Sequence, residues 1–101
     1  MTTIITFERS GGIVANDVYF ELELENLSAD QAQRLQKLID NADFFNISAN
    51  LGMSAAPDEF QYKISVDNGD EYHSVRTTDT SMPKALHPLV RELTMLKVLS
   101  R

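Results

Sequence analysis

The feature that most constrains the fold is the strict alternation of apolar and polar side chains over residues 18–24. The apolar positions are Val18, Phe20, Leu22 and Leu24. The other side carries Tyr19 and three glutamates, Glu21, Glu23 and Glu25. A period of two residues is typical of a β-strand with one face in a core and the other in water. We therefore predict a sheet with one solvated face, whose glutamates either only solvate the sheet or contact a basic partner.

Two further segments predict strands from the same pattern. Residues 2–9 place Ile5 and Phe7 on one side, and residues 60–66 alternate apolar with polar side chains. Asn68-Gly69 follows and is a strong signal for a two-residue hairpin turn. The pairs that such a turn predicts are Ile64 with His73, Tyr62 with Val75, and Phe60 with Thr77. This register turns His73 toward the core, where we expect a hydrogen-bonded core histidine rather than a ligand or a base.

Two segments predict helices. Ser28 and Gln31 form a capping box at the start of the first. Its apolar stripe consists of Ala32, Leu35, Leu38, Ile39 and Ala42. Pro83 and Pro88 suit early positions of the second helix. Its apolar stripe consists of Leu86, Leu89, Val90, Leu93, Leu96 and Leu99. The order ββαββα predicts an α+β fold: a four-stranded antiparallel sheet with helices packed on one face, in one domain over residues 1–101.

The composition argues against several classes of binding partner. The net charge is −6, and the nine Lys and Arg residues are scattered singly, which argues against binding to a phosphate backbone. No stretch approaches the roughly 20 apolar residues of a membrane span, and residues 1–5 lack the features of a signal peptide. We therefore expect a cytoplasmic protein that binds neither nucleic acid nor membrane and is a monomer when free.

Few residues offer catalytic chemistry. The chain has two histidines and no cysteine, and it lacks the spacings of zinc-binding and nucleophile motifs. Asp58 and Glu59 are adjacent, so on a strand they point to opposite faces and cannot act as a pair. We therefore expect a binding protein rather than an enzyme, with no cofactor and no metal of its own.

The most distinctive irregular stretch is the loop over residues 48–57. It is uncharged, Gly52 and Pro57 interrupt any regular element, and it carries two large apolar side chains, Leu51 and Met53. Binding residues concentrate in loops that a rigid scaffold holds. Either Leu51 and Met53 are displayed to a partner, or they fold back as a lid on the core. Phe44, Phe45 and Ile47, just before the loop, are predicted to anchor its front end in the core.

Several short motifs together resemble one known family. In chain order they are residues 7–12 (FERSGG), 42–45 (ADFF), 58–62 (DEFQY), 73–75 (HSV) and 83–89 (PKALHPL). Their order and spacing resemble those of the emfourin-type protealysin inhibitors, and the resemblance covers nearly the whole chain. It implies a small cytoplasmic bacterial protein that blocks thermolysin-like zinc metallopeptidases.

The resemblance implies that a loop occludes the cleft of the protease, whose zinc belongs to that partner. Thermolysin-like enzymes prefer a bulky apolar side chain just after the scissile bond. The predicted protease-binding residues are therefore Asn50, Leu51, Gly52, Met53 and Ser54, with Leu51 as the main anchor. Secondary contact candidates are Arg9, Ser10, Gly11, Gly12 and Asp58. The alternative is a non-enzymatic acidic protein-interaction or regulatory domain that uses the outer sheet face.

Overall fold

The computed structural model describes residues 3–11, 17–51 and 59–99, without the side chains of residues 97–99. Four strands and two α-helices make up this part of the chain. They are β1 (Ile4–Gly11), β2 (Val18–Glu23), α1 (Ala29–Asn41), β3 (Phe60–Asp67), β4 (Tyr72–Thr78) and α2 (His87–Leu99). The order ββαββα and the α+β class predicted from the sequence are confirmed.

The four strands form one antiparallel sheet in the order β2-β1-β3-β4. Ile5 pairs with Leu22 on one side and with Val66 on the other, which places β1 and β3 at the centre. Ile5 and Phe7 are buried, as their alternation predicted. Strand β2 ends at Glu23, one residue earlier than predicted, because Leu24 begins a 3-10 turn (Leu24–Asn26).

The predicted register of the β3–β4 hairpin is wrong by two residues. Ile64 pairs with Val75 rather than with His73, and Tyr62 pairs with Thr77 rather than with Val75. Since the side-chain period of a strand is two residues, this slip keeps every side chain on its predicted face. His73 therefore still faces inward.

The side chain of Asn68 accounts for the wider hairpin. Its Oδ1 accepts hydrogen bonds from the backbone amides of Asp70 at 2.9 Å and Glu71 at 2.7 Å. The Asn68 amide in turn donates to the carbonyl of Glu71 at 3.1 Å. Residues 68–71 thus form a four-residue loop, with Gly69 at φ 94°. Asparagine side chains often close turns in this way, and here that geometry replaces a two-residue turn.

Both helices pack on the inward face of the sheet. The Ser28 hydroxyl accepts a hydrogen bond from the Gln31 amide at 3.2 Å, which confirms the predicted N-cap of α1. The buried core residues of α1, the turn after it, and α2 with its leading turn are Leu35, Ile39, Ala42, Phe44, Leu86, Leu89, Val90, Leu93 and Leu96. Ala32 and Leu38 are partly buried against this cluster. The side chain of Leu99 lies outside the described residues.

No helix within the described ranges is both long and apolar enough to cross a membrane.

Candidate functional site

Two regions predicted as candidate contacts lie at the same end of the sheet. Strand β1 finishes at Gly11 and strand β3 begins at Phe60, and these two residues pair with each other. Arg9 pairs with Val18, the first residue of β2, at this same end, which we call the loop end. Arg9, Ser10 and Gly11 are thus brought next to the point where the chain returns from the predicted loop, although about 50 residues of sequence separate them.

The start of the predicted loop is hydrogen-bonded to the outer edge of β4. The amide of Arg76 donates to the carbonyl of Ala49 at 2.8 Å, and the amide of Leu51 donates to the carbonyl of Arg76 at 2.9 Å. Asn50 consequently forms a parallel β-bridge with Arg76. Residues 49–51 therefore act as a very short fifth strand whose backbone position β4 determines.

A second contact fixes the residues just before the loop. The His73 Nε2 lies 2.6 Å from the carbonyl oxygen of Ile47, and this nitrogen is the donor because a carbonyl only accepts. The imidazole packs edge-on against Phe44, with ring centroids 5.6 Å apart, and beside Phe45 at 6.4 Å. Phe44 is fully buried. As predicted, His73 is hydrogen-bonded and packs inward against Phe44, but its side chain is only half-buried. The contacts confirm the two phenylalanines as an anchor.

The predicted protease-binding residues differ in how far the structure describes them. Asn50 is exposed, and Leu51 is half-buried with its side chain packed against the core cluster. Leu51 thus makes the contacts expected of a lid on the core. Gly52, Met53 and Ser54 lie outside the described residues, as do the secondary candidates Gly12 and Asp58.

The chain segment that follows the loop is hydrogen-bonded to the turn after β4. Asp79 accepts from the amide of Phe60 at 3.0 Å and from the hydroxyl of Tyr62 at 2.8 Å. Glu59 accepts from the amide and hydroxyl of Thr80, at 2.9 and 2.6 Å. No periodic pattern over residues 77–82 predicts these contacts. The one signal for these hydrogen bonds is the run of short polar residues after β4, because such side chains commonly form hydrogen bonds with neighbouring backbone groups.

Gly11 holds a position that other residues fill poorly. Its φ is 85°, and a Cβ built on it lies 2.9 Å from the Glu59 carbonyl oxygen. The backbones of β1 and of Glu59 therefore approach closely at this point, where a residue without a Cβ fits best.

Arg9 lies on the inward face at the loop end, where it pairs with Tyr62 and Val18. Its guanidinium carbon lies 4.5 Å from the centroid of the Phe60 ring, a cation–π distance. The Arg9 Nε is buried and has no hydrogen-bond partner among the described residues. Arg9 thus covers the first residue of β3 rather than reaching into solvent from this face.

The pKa of Tyr62 is raised from 10.0 to about 12, chiefly by burial and then by the hydrogen bond and negative charge of Asp79. The positive charge of Arg9 acts in the opposite direction. The Tyr62 hydroxyl therefore stays protonated and keeps donating to Asp79 throughout the neutral range.

The outer face of the sheet has an open groove at the loop end, with a volume of about 350 Å³. Its lining residues are Glu8, Ser10, Asn50, Gln61, Tyr62, Lys63, Arg76, Thr77 and Thr78. Lys63 and Arg76 are cross-strand neighbours within it. The Lys63 Nζ lies 3.9 Å from a carboxylate oxygen of Glu8, an exposed and therefore weak ion pair.

The predicted glutamate row lies on the edge strand of the sheet. Glu21 and Glu23 are exposed on β2, and Tyr19 beside them is 61% exposed. Glu25 belongs to the 3-10 turn Leu24–Asn26 and does not continue the strand. The row is therefore two glutamates long within the sheet, because the chain turns after Glu23.

Across the described residues, no three or more histidine, aspartate and glutamate side chains gather as a metal site would require.

Comparison with known proteins identifies a family. A model of the Emfourin family matches residues 7–94. Among solved structures, the chain is similar to "Emfourin (M4in) from Serratia proteamaculans, M4 family peptidase inhibitor", at 19% sequence identity and a TM-score of 0.44. That similarity covers 87% of this chain and 85% of the Serratia chain. Comparison with curated proteins gave no match. The resemblance seen in the motif order is confirmed, and since the family model spans most of its length, this chain belongs to the Emfourin family.

Proposed function

We propose that this protein inhibits a thermolysin-like zinc metallopeptidase of the M4 family by placing the loop end of its sheet against the active-site cleft. Membership of the Emfourin family is the observation that carries the proposal. The Serratia proteamaculans protein bears the same family name and is described as an M4 family peptidase inhibitor. The proposal rests on that shared family and takes no support from the structural similarity, which is low.

The way the loop is attached supports occlusion as the mechanism. On its leading side, Ala49 and Leu51 are hydrogen-bonded to Arg76. On its trailing side, Glu59 and Phe60 are hydrogen-bonded to the turn after β4. A loop whose two ends are fixed loses less conformational freedom when a partner binds it, and this raises affinity.

The residues that contact the peptidase are, in this proposal, Asn50, Leu51, Gly52, Met53 and Ser54. Asn50 is exposed beside the β-bridge and can offer polar contacts at the rim of the cleft. Leu51 is half-buried, so the exposed part of its side chain is what can enter an apolar pocket. The secondary contact candidates are Arg9, Ser10 and Gly11, at the same end of the sheet, together with Gly12 and Asp58.

The remaining parts of the proposal concern the partner and the setting. The partner is a protealysin-type enzyme, and the zinc belongs to that enzyme. The inhibitor itself is not an enzyme, uses no cofactor, and acts as a monomer in the bacterial cytoplasm. Nucleic acid and membrane are not partners.

The direct test titrates a thermolysin-like peptidase with the purified protein and measures the residual hydrolysis of a peptide substrate. Inhibition that saturates at a fixed molar ratio, with the inhibitor intact on a denaturing gel, is the expected result. Steady cleavage of the protein without loss of activity toward the peptide would show a substrate rather than an inhibitor.

A second candidate function is an acidic protein-interaction domain that uses the outer face of β2. The exposed pair Glu21 and Glu23 on an edge strand favours it. The triple change Glu21→Gln, Glu23→Gln, Glu25→Gln separates the two functions. If these glutamates only solvate the sheet, inhibition stays nearly intact and depends little on salt. A large loss, together with steep salt dependence of binding, would instead support the acidic face.

A further inference from the structure

Two cations lie side by side on the outer face of an otherwise acidic protein. The chain has 15 Asp and Glu against nine Lys and Arg. Lys63 on β3 and Arg76 on β4 are directly opposite each other in the antiparallel pairing. Their side chains leave the sheet on the face away from the core, since Ile64 and Val75 beside them point inward and are fully buried.

The groove that contains these two side chains carries a small net positive charge. Its ionised residues are Glu8, Lys63 and Arg76, and the rest of its lining is neutral and polar. Glu8 is 3.9 Å from Lys63, and both side chains are about 40% exposed. Arg76 is exposed and forms no ion pair with any residue that the structure describes. One guanidinium is therefore left to face a partner.

The groove is continuous with the proposed inhibitory loop. The backbone of Arg76 carries the β-bridge to Asn50, and Asn50 also lines the groove. A protein that covers residues 50–54 must therefore pass over or beside the Arg76 side chain. We infer that this groove binds an acidic side chain of the peptidase, with the Arg76 guanidinium and the Lys63 ammonium as its two cationic contacts. The inference rests on the proposed function and names the chemistry of one contact within it.

The physical properties of the two cations specify the expected behaviour. A guanidinium matches a carboxylate with two parallel hydrogen bonds, whereas an ammonium acts as a point charge. Charges at the rim of an interface act mainly on the association rate and are screened by salt. The contact should therefore increase the association rate at low ionic strength and contribute little at high ionic strength.

The test measures inhibition constants and association rates for Lys63→Gln, Arg76→Gln and the double variant. The matched control is Lys37→Gln, which removes the same charge from an exposed position on α1, on the helical side of the molecule. The double variant should bind about tenfold more weakly at low salt, a difference of roughly 1.4 kcal/mol. Most of that loss should be in the association rate and should nearly vanish at high salt. Arg76→Lys should recover part of it, and Lys37→Gln should match the unaltered protein.

The outcomes separate this inference from the proposed function. If the unaltered protein inhibits and the double variant is no weaker than Lys37→Gln, the acidic contact is wrong while the inhibitor function stands. If the unaltered protein does not inhibit, the proposed function fails and this inference fails with it. Should Arg76→Gln disturb folding in a thermal melt, the inhibition constant of Lys63→Glu tests the inference instead. It must weaken inhibition more than Lys63→Gln, and equal values would overturn the inference.

Discussion

The imidazole of His73 donates a hydrogen bond of 2.6 Å to the carbonyl of Ile47, and this bond joins β4 to the residue that precedes the proposed inhibitory loop. Three hydrogen bonds from two residues of β4 thus determine where the loop begins, because the backbone of Arg76 binds both Ala49 and Leu51. The scaffold and the loop are therefore coupled: a change in β4 that leaves the core intact can still displace the loop.

We expect His73→Phe to destabilise the protein by about 0.5–1.5 kcal/mol, the usual net contribution of a hydrogen bond, because both partners are only partly buried. The phenyl ring keeps the contacts with Phe44 and Phe45 but offers no donor to the Ile47 carbonyl. Urea unfolding measures the loss, and amide hydrogen exchange over residues 48–51 should become faster. The matched control is His87→Phe, an exposed position at the start of α2, which should stay within about 0.5 kcal/mol of the unaltered protein. Equal stabilities for the two variants would show that the hydrogen bond contributes nothing.

We expect Gly11→Ala to cost about 1–3 kcal/mol, the range for a residue held in a sparsely populated backbone region. Alanine is strained at φ 85°, and its Cβ would lie 2.9 Å from the Glu59 carbonyl oxygen. Thermal unfolding of Gly11→Ala and of Ser10→Ala, an exposed neighbour, measures the difference. A melting temperature for Gly11→Ala equal to that of Ser10→Ala would mean that the two backbones can separate without cost.

The core gives a separate prediction for the helical layer. Leu35→Ala and Leu93→Ala each remove a side chain that is fully buried between the helices and the sheet. Each should cost roughly 2–5 kcal/mol in urea unfolding. A loss of less than about 0.5 kcal/mol, the range typical of surface changes, would contradict the burial of these helix faces.

Periodic patterns in the sequence predicted the elements and their faces well. The alternation around Ile5 and Phe7, the cap at Ser28 and the stripe containing Leu93 all describe local geometry that a few neighbouring residues determine. The hairpin register was predicted wrongly because the Asn68 side chain accepts two backbone hydrogen bonds, and a dipeptide signal carries no information on which turn its side chain will stabilise.

The arrangement of the candidate site was less predictable. Asp79 contacts Phe60 and Tyr62 across 19 and 17 residues of sequence, and Arg76 is hydrogen-bonded to the loop through its backbone. Backbone hydrogen bonds between distant segments leave no mark on residue identity, so no pattern could reveal them. The sequence showed that the loop was irregular, but not that its ends were attached to β4 and to the turn after it.

Tyr62 gives a prediction for alkaline pH. Its pKa of about 12 lies above the ordinary value of 10.0, chiefly through burial and then through Asp79. Because the folded protein holds this proton more tightly than the unfolded chain, the contribution of Tyr62 to stability is complete below pH 10 and declines as the pH rises toward about 12. Tyr62→Phe should remove that decline and should delete a phenolate step near pH 12 from an ultraviolet absorbance titration. Loss of a step near pH 10 instead would contradict the raised pKa.

The last prediction concerns Leu51, the proposed main contact with the peptidase. Leu51→Ala should weaken inhibition by at least about tenfold, since an apolar side chain that fills a pocket contributes roughly 1.5–3 kcal/mol. The same change should lower the free energy of unfolding by less than Leu35→Ala does, because Leu51 is only half-buried against the core. Inhibition constants for both variants, measured at a temperature where each is folded, separate binding from stability.

Leu35→Ala is the matched control, because it shortens the same side chain at a fully buried position on α1. It should lose stability and keep its inhibition constant. Leu51→Ala should instead inhibit more weakly and lose less stability. Met53→Ala should weaken inhibition by a smaller factor than Leu51→Ala. If Leu51→Ala loses stability as Leu35→Ala does and inhibits as well as the unaltered protein, Leu51 serves only the core. The contact with the peptidase would then have to come from elsewhere at the loop end, first from Arg9, Ser10 and Gly11.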